Sequence, residues 1–502
     1  MTAAGTTGLG VRAPREAAGR AYDLVVVGGG VQGVMLTLEA ARRGLRPVLL
    51  ERGDFGGATS ANSLRIVHGG FRYLQSLDLP RVRESVGERR WFLRHFPDLV
   101  QPLRCLMPLY GEGLRRPRVL RAALALNDAL SRGRNRNLRA DRAIPAGEVL
   151  DAGQVIEEFP LVDRTRLAGG AVWYDAVMRD PQRLLVEALR WAHSFGAVAL
   201  NYVEAGRLVV RDGRVAALQV VDRETGERLE FRAPVVVNCA GPWSREVARR
   251  LDRDLPALFQ PSLAFNVLLD RAPLSASALA VAPREPGART YFMHPWRGRV
   301  LAGTFHAPWS GGVRDAAPTP AQLAAFLADL NAAVPDWGLR ERDVVRVYAG
   351  LLPAATPGTD RLAARETIHD HARHGGPRGL YSVSGVKFTT ARLVAEKTLR
   401  AIRPGLSRDP DVLAGTERPV AALPPDYGRF AELWRADPDA AAALIARLVR
   451  EEAVVRMEDL VERRTGWALD PAAPPDLPAR LEALLATAAR RRAAHDLAGR
   501  AS

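Results

Sequence analysis

The sequence has very little cysteine, very little lysine and no long hydrophobic run. Cys105 and Cys239 are the only cysteines among 502 residues, which excludes a disulfide framework and makes a reducing cytoplasm the expected location. No apolar run approaches the roughly 20 residues of a membrane-spanning helix. Hydrophobic residues nevertheless make up 47% of the chain, so we expect a large buried core and about two to four domains.

Positive charge exceeds negative charge by 15, and nearly all of it is arginine, since Lys387 and Lys397 are the only lysines. A net charge of this size attracts anionic surfaces. The basic residues are nevertheless spread along the whole chain, without the tract or the aromatic-interleaved patch that binds nucleic acid. We therefore predict no nucleic-acid partner, and we leave open a peripheral contact with the inner face of the cytoplasmic membrane.

A dinucleotide-binding fingerprint lies near the start of the chain. An apolar run of strand type at 22–27 is followed by Gly28, Gly30 and Gly33, then by a helical stretch and a second strand that ends at Glu51. In this motif the glycines permit a tight turn, close approach of the backbone to a pyrophosphate, and close packing of the helix on the strand. A carboxylate at Glu51 can accept the ribose hydroxyls, which favours FAD or NAD over NADP.

Several further segments, taken with the fingerprint, follow the pattern of one enzyme family. They are 22–74, which includes GATSANS at 57–63 and HGGFRYL at 68–74, then VNCAGPW at 237–243, SGVKFTT at 384–390 and MEDLVERRT at 457–465. Together they resemble the FAD-dependent glycerol-3-phosphate dehydrogenases of the D-amino-acid-oxidase-like superfamily. The resemblance spans nearly the whole chain in order. It implies an enzyme with FAD as cofactor and a small-molecule substrate, without a metal site.

The resemblance also implies which residues hold FAD. A loop of small polar residues, such as that at 57–63, can present hydroxyl and N–H groups to a pyrophosphate. A cation at Lys387 would stabilise the negative charge that develops on the reduced flavin ring. The predicted cofactor-binding residues are Gly28, Gly30, Gly33, Glu51, Arg52, Thr59, Ser60, Ser63, Ala240, Gly241, Gly385, Lys387 and Thr389.

A second set of residues is implied on the substrate side of the flavin. FAD accepts a hydride at its N5 atom, so oxidation of an alcohol also needs a base for the hydroxyl proton and groups that fix the substrate. The predicted catalytic residues are Lys387, Arg72 and His306. The predicted substrate-binding residues are Arg72, Tyr73, Asn266 and Arg365.

Three positions depart from the pattern of the family. Leu352 stands where the family has an arginine, and its apolar side chain cannot pair with a phosphate. Asn266 stands where the family has a histidine, and an amide cannot hold the transferred proton. His306 replaces a family aspartate and has a pKa suited to a base, with His294 as another candidate. We therefore expect a modified substrate site.

The predicted fold is α/β, or α+β overall, with a discontinuous Rossmann-like FAD-binding domain, an antiparallel-sheet substrate domain and a small C-terminal helical domain. A hairpin is predicted over 291–305, and only helices and loops over 81–132. The predicted boundaries are a flexible tail at 1–20, an FAD-binding domain at 21–80, 150–255 and 350–402, a substrate domain at 81–149 and 256–349, and a helical domain at 403–502 that includes an arginine-rich helix ending at 490–492.

Three functions are compatible with this sequence. The first is a dehydrogenase that oxidises a secondary alcohol of a polyol, a polyol phosphate or a related molecule by hydride transfer to the flavin, with a quinone or another compound as electron acceptor. The second is an amine or amino-acid oxidase that uses O₂. The third is a flavin-binding protein without catalysis, which the retained Lys387 and Arg72 disfavour. The substrate, the acceptor and the oligomeric state stay open.

Overall fold

The computed structural model describes residues 9, 12–71, 73, 77–111, 113, 116–285, 287–406, 418, 430–469, 476 and 478–486. The strands are β1 (Leu24–Val27), β2 (Pro47–Leu50), β3 (Ile66–Val67), β4 (Val100–Leu109), β5 (Glu148–Leu150), β6 (Gly169–Met178), β7 (Val198–Leu200), β8 (Val203–Arg211), β9 (Arg214–Asp222), β10 (Arg228–Arg232), β11 (Val236–Asn238), β12 (Pro261–Leu269), β13 (Ala278–Val281), β14 (Tyr291–Trp296), β15 (Arg299–Pro308), β16 (Val344–Pro353), β17 (Thr367–Asp370) and β18 (Leu380–Ser384).

The described residues contain eleven α-helices. They are α1 (Pro14–Ala18), α2 (Val31–Arg42), α3 (Leu79–His95), α4 (Pro117–Leu130), α5 (Ala152–Glu158), α6 (Pro181–His193), α7 (Ser244–Leu251), α8 (Pro320–Ala333), α9 (Ala391–Ile402), α10 (Phe430–Ala436) and α11 (Pro438–Glu451). The combination of sheets and helices confirms the predicted fold class. No helix in the described ranges is long and apolar enough to cross a membrane.

One sheet has six strands in the order β17-β18-β11-β1-β2-β7, which come from distant parts of the chain. Its strands run parallel except for the edge strand β17. Gly28, Glu51, Cys239 and Gly385 each follow directly on the last residue of a parallel strand. Because the carboxyl ends of parallel strands meet at one edge of the sheet, these four residues lie at the same crevice, where open α/β sheets bind their ligands.

The predicted β-α-β unit is confirmed, and two of its glycines explain its tightness. Gly28 has a φ of +108°, which residues with a side chain rarely adopt. A Cβ atom on Gly33 would lie 1.9 Å from the carbonyl oxygen of Gly28. Helix α2 can therefore pack on strand β1 at this distance only if residue 33 has no side chain. The helix begins at Val31, earlier than its apolar pattern suggests.

A larger, mainly antiparallel sheet faces the first one, in the order β16-β12-β15-β14-β13-β4-β6-β3 with β5 paired to β6. It contains the predicted hairpin, as β14 and β15. The prediction of only helices and loops over 81–132 is wrong, because β4 runs through it. Pro102 and Pro108 lie within β4 and mask its strand pattern, since proline is rare inside strands.

Two strands lie on a different sheet from the one that their predicted segments imply. Strand β3 falls in 21–80, which we assigned to the FAD-binding domain, but it pairs with β6 in the larger sheet. Strand β6 falls in 150–255, which we assigned to the FAD-binding domain, but it pairs with β4 and β3 in the larger sheet. Strands β8, β9 and β10 form a separate three-stranded sheet. The division into domains stays a prediction, with β3 and β6 as the exceptions within it.

The prediction of a flexible tail at 1–20 is wrong for residues 12–20. Helix α1 lies in this range. The guanidinium of Arg12 is largely buried, donates to the carbonyl of Asn201 at 2.9 Å and pairs with the carboxylate of Asp222. The sequence did not predict these contacts of Arg12, because both partners lie about 200 residues away.

The C-terminal part contains helices, as predicted, and a helical segment at Asp459–Arg464 with the wider π-type turn. Its docking uses buried charges. Arg183 of α6 pairs with Glu452 at 2.5 Å, and both side chains are almost fully buried. The predicted arginine-rich helix ending at 490–492 lies outside the described residues.

The contact between α2 and β1 generates a stability prediction. A Gly33→Ala substitution places a methyl group against the Gly28 carbonyl, and such overpacking costs about 1–3 kcal/mol or more. We expect a clearly lower melting temperature by circular dichroism. The matched control is Gly87→Ala in helix α3, where a Cβ atom meets nothing within 4 Å; it should be neutral or stabilise the protein by up to about 1 kcal/mol. Equal melting temperatures for the two variants would contradict this account.

Candidate active site

A cavity of about 1530 Å³ opens at the carboxyl edge of the parallel sheet and extends to the antiparallel sheet. Pockets for drug-sized ligands usually measure roughly 300–1,000 Å³, so this one can take a larger ligand together with a second molecule. The predicted site residues in its wall are Gly28, Gly30, Glu51, Arg52, Thr59, Ser60, Ser63, Tyr73, Ala240, Gly241, Asn266, His306, Gly385, Lys387 and Thr389. Sequence patterns from distant parts of the chain thus converge on one cavity.

Glu51 marks one end of the cavity. Its carboxylate accepts hydrogen bonds from the backbone N–H of Gly29 at 2.6 Å and of Gly53 at 2.7 Å. Burial raises the pKa of Glu51, although these two N–H groups act in the opposite direction. Next to it, the guanidinium of Arg52 lies 4.4 Å from the ring centroid of Trp243. This end therefore offers two features to a ligand. One is the Glu51 carboxylate, which the backbone holds in place, and the other is the Trp243 ring with the Arg52 cation beside it.

The loop at 57–63 lines the middle of the cavity and joins the two sheets. The Ser60 hydroxyl accepts from the N–H of Val31 at the start of α2, at 3.0 Å. The Thr59 hydroxyl donates to the carbonyl of Leu351 on β16 at 2.9 Å. The loop is therefore held from both sides, as a ligand-binding segment needs to be if its backbone is to stay in a fixed position.

The turn at Ala240 is held by an amide side chain. Asn238 accepts the N–H of Ala240 at 3.2 Å and donates to the carbonyl of Ser244 at 2.7 Å and to the hydroxyl of Ser382 at 3.1 Å. Gly241 follows with a φ of +53°. The small residues predicted here thus form a well-supported turn in the cavity wall.

The three positions that depart from the family pattern lie in the same cavity. Leu352, Asn266 and His306 all line it, and so does Lys387, whose ammonium lies 4.3 Å from the ring centroid of Tyr73. The Asn266 side chain is buried and has structural partners. It donates to the carbonyl of Asn62 at 2.9 Å and accepts from the Thr304 hydroxyl at 2.8 Å.

An arginine that the sequence did not single out stands beside His306. Arg289 lines the cavity, donates to the His306 carbonyl at 3.0 Å and pairs with the carboxylate of Asp360 at 2.7 Å. Its side chain is about one-third exposed. A positive charge is therefore present at this end although position 352 is apolar.

Three predicted residues lie elsewhere, and a fourth has no described position. Arg72 lies outside the described residues. Arg365 is half exposed, lies 3.8 Å from Glu84 and is not part of the cavity wall, so its assignment to the substrate stays a prediction that this position does not support. Gly33 lies beneath the wall, where it permits the packing of α2. His294 is buried, with its ring nitrogens 3.0 Å from the carbonyl of Leu64 and 3.1 Å from that of Pro295.

Asp175 is a cavity residue that sequence reasoning missed. Its carboxylate accepts from the N–H of Gly69 at 2.6 Å and from the indole of Trp173 at 3.1 Å, and Arg89 lies 3.7 Å away. It thereby anchors the loop that leads to Tyr73. No local pattern indicates this role, because it depends on strand β6 reaching the larger sheet.

The wall also contains buried polar atoms that suit a bound cofactor. The Oγ1 atom of Thr389 and the Oε1 atom of Gln32 are buried and have no hydrogen-bond partner among the described residues, and both residues line the cavity. Burial of a polar group without a partner costs about 1–3 kcal/mol. A Cβ on Gly385 would come within 2.1 Å of the Gln32 side chain. A large ligand with many polar atoms fits this wall, and Gln32 could have been identified from its place between the second and third glycines.

Comparison with known proteins assigns the family. The sequence profile described as FAD dependent oxidoreductase (DAO) matches residues 23–400. A glycerol-3-phosphate dehydrogenase of Synechocystis sp. is 30% identical over 403 residues, which cover 77% of this chain and 71% of that protein. The chain belongs to the family of FAD-dependent oxidoreductases. The predicted cofactor and enzyme class are thereby confirmed, and the predicted resemblance is confirmed as well.

Other members of the family are similar over comparable lengths. Glycerol-3-phosphate dehydrogenase 1 of Mycobacterium tuberculosis is 32% identical over 394 residues, or 76% of this chain and 73% of that protein. The structure of the glycerol-3-phosphate dehydrogenase from Bacillus halodurans complexed with FAD has the same fold, with a TM-score of 0.68 at 22% identity over 94% of this chain and 90% of that one. Glycine oxidase from Geobacillus kaustophilus shares the fold at a TM-score of 0.52 and 21% identity, over 80% of this chain and 98% of that one.

No cluster of three or more His, Cys, Asp or Glu side chains that could hold a metal ion occurs in the part of the chain that the structure describes. The chemical groups that line the cavity include backbone N–H groups, hydroxyls, the Glu51 and Asp175 carboxylates, the Arg289 guanidinium, Lys387 and His306.

His294 generates a prediction about pH. Burial lowers its pKa from 6.5 to about 4, although two carbonyl oxygens act in the opposite direction. The unfolded chain then binds the proton more tightly, so the contribution of His294 to stability is complete above pH 6.5 and is lost as the pH falls towards 4, by up to about 3 kcal/mol. In urea unfolding between pH 7 and 4, the His294→Gln variant should lose this part of the pH dependence. The exposed control His374→Gln should keep it, and identical pH profiles for parent and His294→Gln would refute the assignment.

Proposed function

We propose that this FAD-dependent oxidoreductase is a dehydrogenase that oxidises a secondary alcohol of a polyol, a polyol phosphate or a related hydroxylated small molecule. The observation that carries the proposal is the meeting of Lys387, Asn266, His306 and Leu352 in one cavity with the glycine turn at Gly28. The relatives named glycerol-3-phosphate dehydrogenase support the same class of reaction.

The residues of this chain divide the work at the substrate end as follows. When bound, FAD supplies the hydride acceptor. His306 accepts the proton of the substrate hydroxyl, which Asn266 cannot do. Lys387 places a positive charge where the flavin ring becomes negative. Tyr73 packs against this ammonium and holds its position.

In the family pattern an arginine stands at the position of Leu352 and can pair with a phosphate. This chain must hold its substrate in another way. Leu352 offers only an apolar contact, and Arg289 brings a guanidinium to the same cavity near His306. Arginine has five N–H donors, and Arg289 uses two of them for the His306 carbonyl and for Asp360, which leaves others for an anionic group. An anionic group of the substrate would therefore bind at Arg289, with the carbon chain against Leu352. Oxidation of an amine is the alternative. Because the chain shares its fold with a glycine oxidase, the substrate assay includes amino acids.

The proposal predicts anaerobic bleaching of the flavin by a hydroxylated substrate. The purified yellow protein is mixed under argon with glycerol 3-phosphate, glycerol, sugar alcohols, α-hydroxy acids and amino acids, and the flavin absorbance is followed. We expect reduction by at least one hydroxylated compound and by none of the amino acids. Reduction by amines with release of hydrogen peroxide in air would support the alternative, and an oxidised flavin throughout the panel would contradict the proposal.

The same assay tests the base. His306→Gln should lower the rate of flavin reduction by about 10²–10⁴-fold, the usual contribution of a general base, with an unchanged flavin content. His374→Gln, an exposed histidine that is absent from the cavity wall, serves as the control. A reduction rate within twofold of the parent for His306→Gln would exclude this residue as the base.

We further propose that electrons leave to a quinone at a membrane surface, which the net charge of +15 would attract. Binding to vesicles with anionic lipids should therefore be strong in low salt and weak near 1 M salt, where the screening length falls to about 3 Å. Neutral vesicles are the control in a flotation assay. Equal binding to neutral and anionic vesicles, or none to either, would contradict the proposal, as would a lack of reduction of a soluble quinone analogue.

A further inference from the structure

The C-terminal segment at 452–465 lies beyond the part of the chain that the family profile matches, which ends at residue 400. Two of its side chains, Arg456 and Arg463, nevertheless line the cofactor cavity. They lie at the Glu51 end, together with Asp54 and Tyr202. The segment therefore contributes to the wall of a cavity whose remaining residues come from the family domain.

A buried ion pair fastens this segment beneath the cavity. The guanidinium of Arg464 contacts the two carboxylate oxygens of Asp54 at 2.6 and 2.9 Å, and both side chains are completely buried. Arg464 also donates to the carbonyl of Glu452 at 3.0 Å, and Asp54 accepts from the amide of Asn201 at 2.8 Å. Burial would raise the pKa of Asp54, but the charge of Arg464 lowers it below its usual value. Both groups are therefore charged, and neither can lose its partner without leaving a charge buried alone.

Asp54 is connected to the nucleotide end of the cavity through two short links. The N–H of Gly53 donates to Glu51 at 2.7 Å, and the carbonyl of Gly53 accepts from the N–H of Tyr202 at 2.8 Å. A shift of Asp54 would therefore move the backbone that holds the Glu51 carboxylate.

A second contact fixes the segment at Tyr202. The hydroxyl of Tyr202 donates to Asp459 at 2.7 Å, and the other oxygen of Asp459 accepts the N–H groups of Val455 and Arg456 at 2.9 Å each. The guanidinium of Arg456 lies 4.4 Å from the centroid of the Tyr202 ring. Arg456 also donates to Glu224 at 2.8 Å. A guanidinium held over an aromatic ring offers a planar cation against which a purine base can pack.

We propose that residues 452–465 form part of the FAD site: Arg456 and Arg463 contact the adenosine half of FAD, and the Arg464–Asp54 pair holds Glu51 in position from beneath. Arg456 and Arg463 are binding residues in this scheme, and Arg464 is a positioning residue. Docking of the segment and binding of FAD are then linked, so each strengthens the other by the same factor.

The first experiment measures the affinity of the full-length apoprotein for FAD by quenching of flavin fluorescence. The double variant Arg456→Ala, Arg463→Ala changes side chains that are partly exposed. Because Arg463 also pairs with the buried Asp459 at 3.2 Å, circular dichroism checks that the variant is folded, and the single variant Arg456→Ala is measured beside it. We expect the dissociation constant of the double variant for FAD to rise by tenfold or more. Arg450→Ala on helix α11 is the matched control, since it removes an exposed arginine of the same region that is absent from the cavity wall. A double variant that binds FAD within twofold of the parent overturns the proposal.

The second experiment measures hydrogen exchange of the backbone amides at 452–465 with and without FAD. Linked docking predicts that FAD slows exchange here by tenfold or more in the parent, and that Arg464→Gln loses both this protection and tight FAD binding. Circular dichroism shows whether Arg464→Gln is folded. If it is not, the proposal is judged by hydrogen exchange of the parent and by the FAD affinity of the double variant. Unchanged exchange of the parent segment on addition of FAD overturns the proposal, whatever substrate the enzyme oxidises.

Discussion

Helix α2 and strand β1 approach each other so closely at Gly28 and Gly33 that only a hydrogen atom fits between them. Much of the active site depends on this distance. It brings the first N–H groups of the helix to the carboxyl edge of the sheet, where a helix N-terminus attracts phosphate. It also places Val31 where its N–H can hold the Ser60 hydroxyl, and so fixes the loop at 57–63. The backbone geometry of one turn is therefore the basis of the cofactor cavity.

The loop at 57–63 links the parallel sheet to the antiparallel sheet by hydrogen bonds. Thr59 bonds to β16, and Asn62 bonds through its carbonyl to Asn266 on β12. Asn266, at the position of a family histidine, thus binds the two halves of the fold together while it lines the cavity. A residue that serves both purposes cannot be changed for one without the other. The base that we propose, His306, lies on the neighbouring strand β15.

Arginine performs several distinct tasks in this protein. Arg183 and Arg464 are buried and paired with carboxylates, Arg52 lies against an aromatic ring, and Arg289 faces the substrate end of the cavity. The planar guanidinium suits all these tasks, because it binds in bidentate fashion, stacks on rings and keeps its charge when buried. Lys387 is one of two lysines in the chain, and the place beside the flavin that we propose for it suits a compact point charge.

The resemblance to a family identified FAD and the segments that follow β11 and β18. The sequence by itself determined the β-α-β unit and its dinucleotide site. These features are local, since the glycine spacing and the acid at Glu51 belong to one continuous stretch whose chemistry follows from backbone geometry. Only the tertiary structure decided the remainder. Asp175 reaches the cavity through the pairing of β6, and Arg289 reaches it from the loop before β14. Arg365 lies near Glu84 instead, and Arg12 and Arg464 have partners about 200 and 400 residues away. Such contacts depend on which distant strands and helices become neighbours, and no local pattern of residue types records that choice.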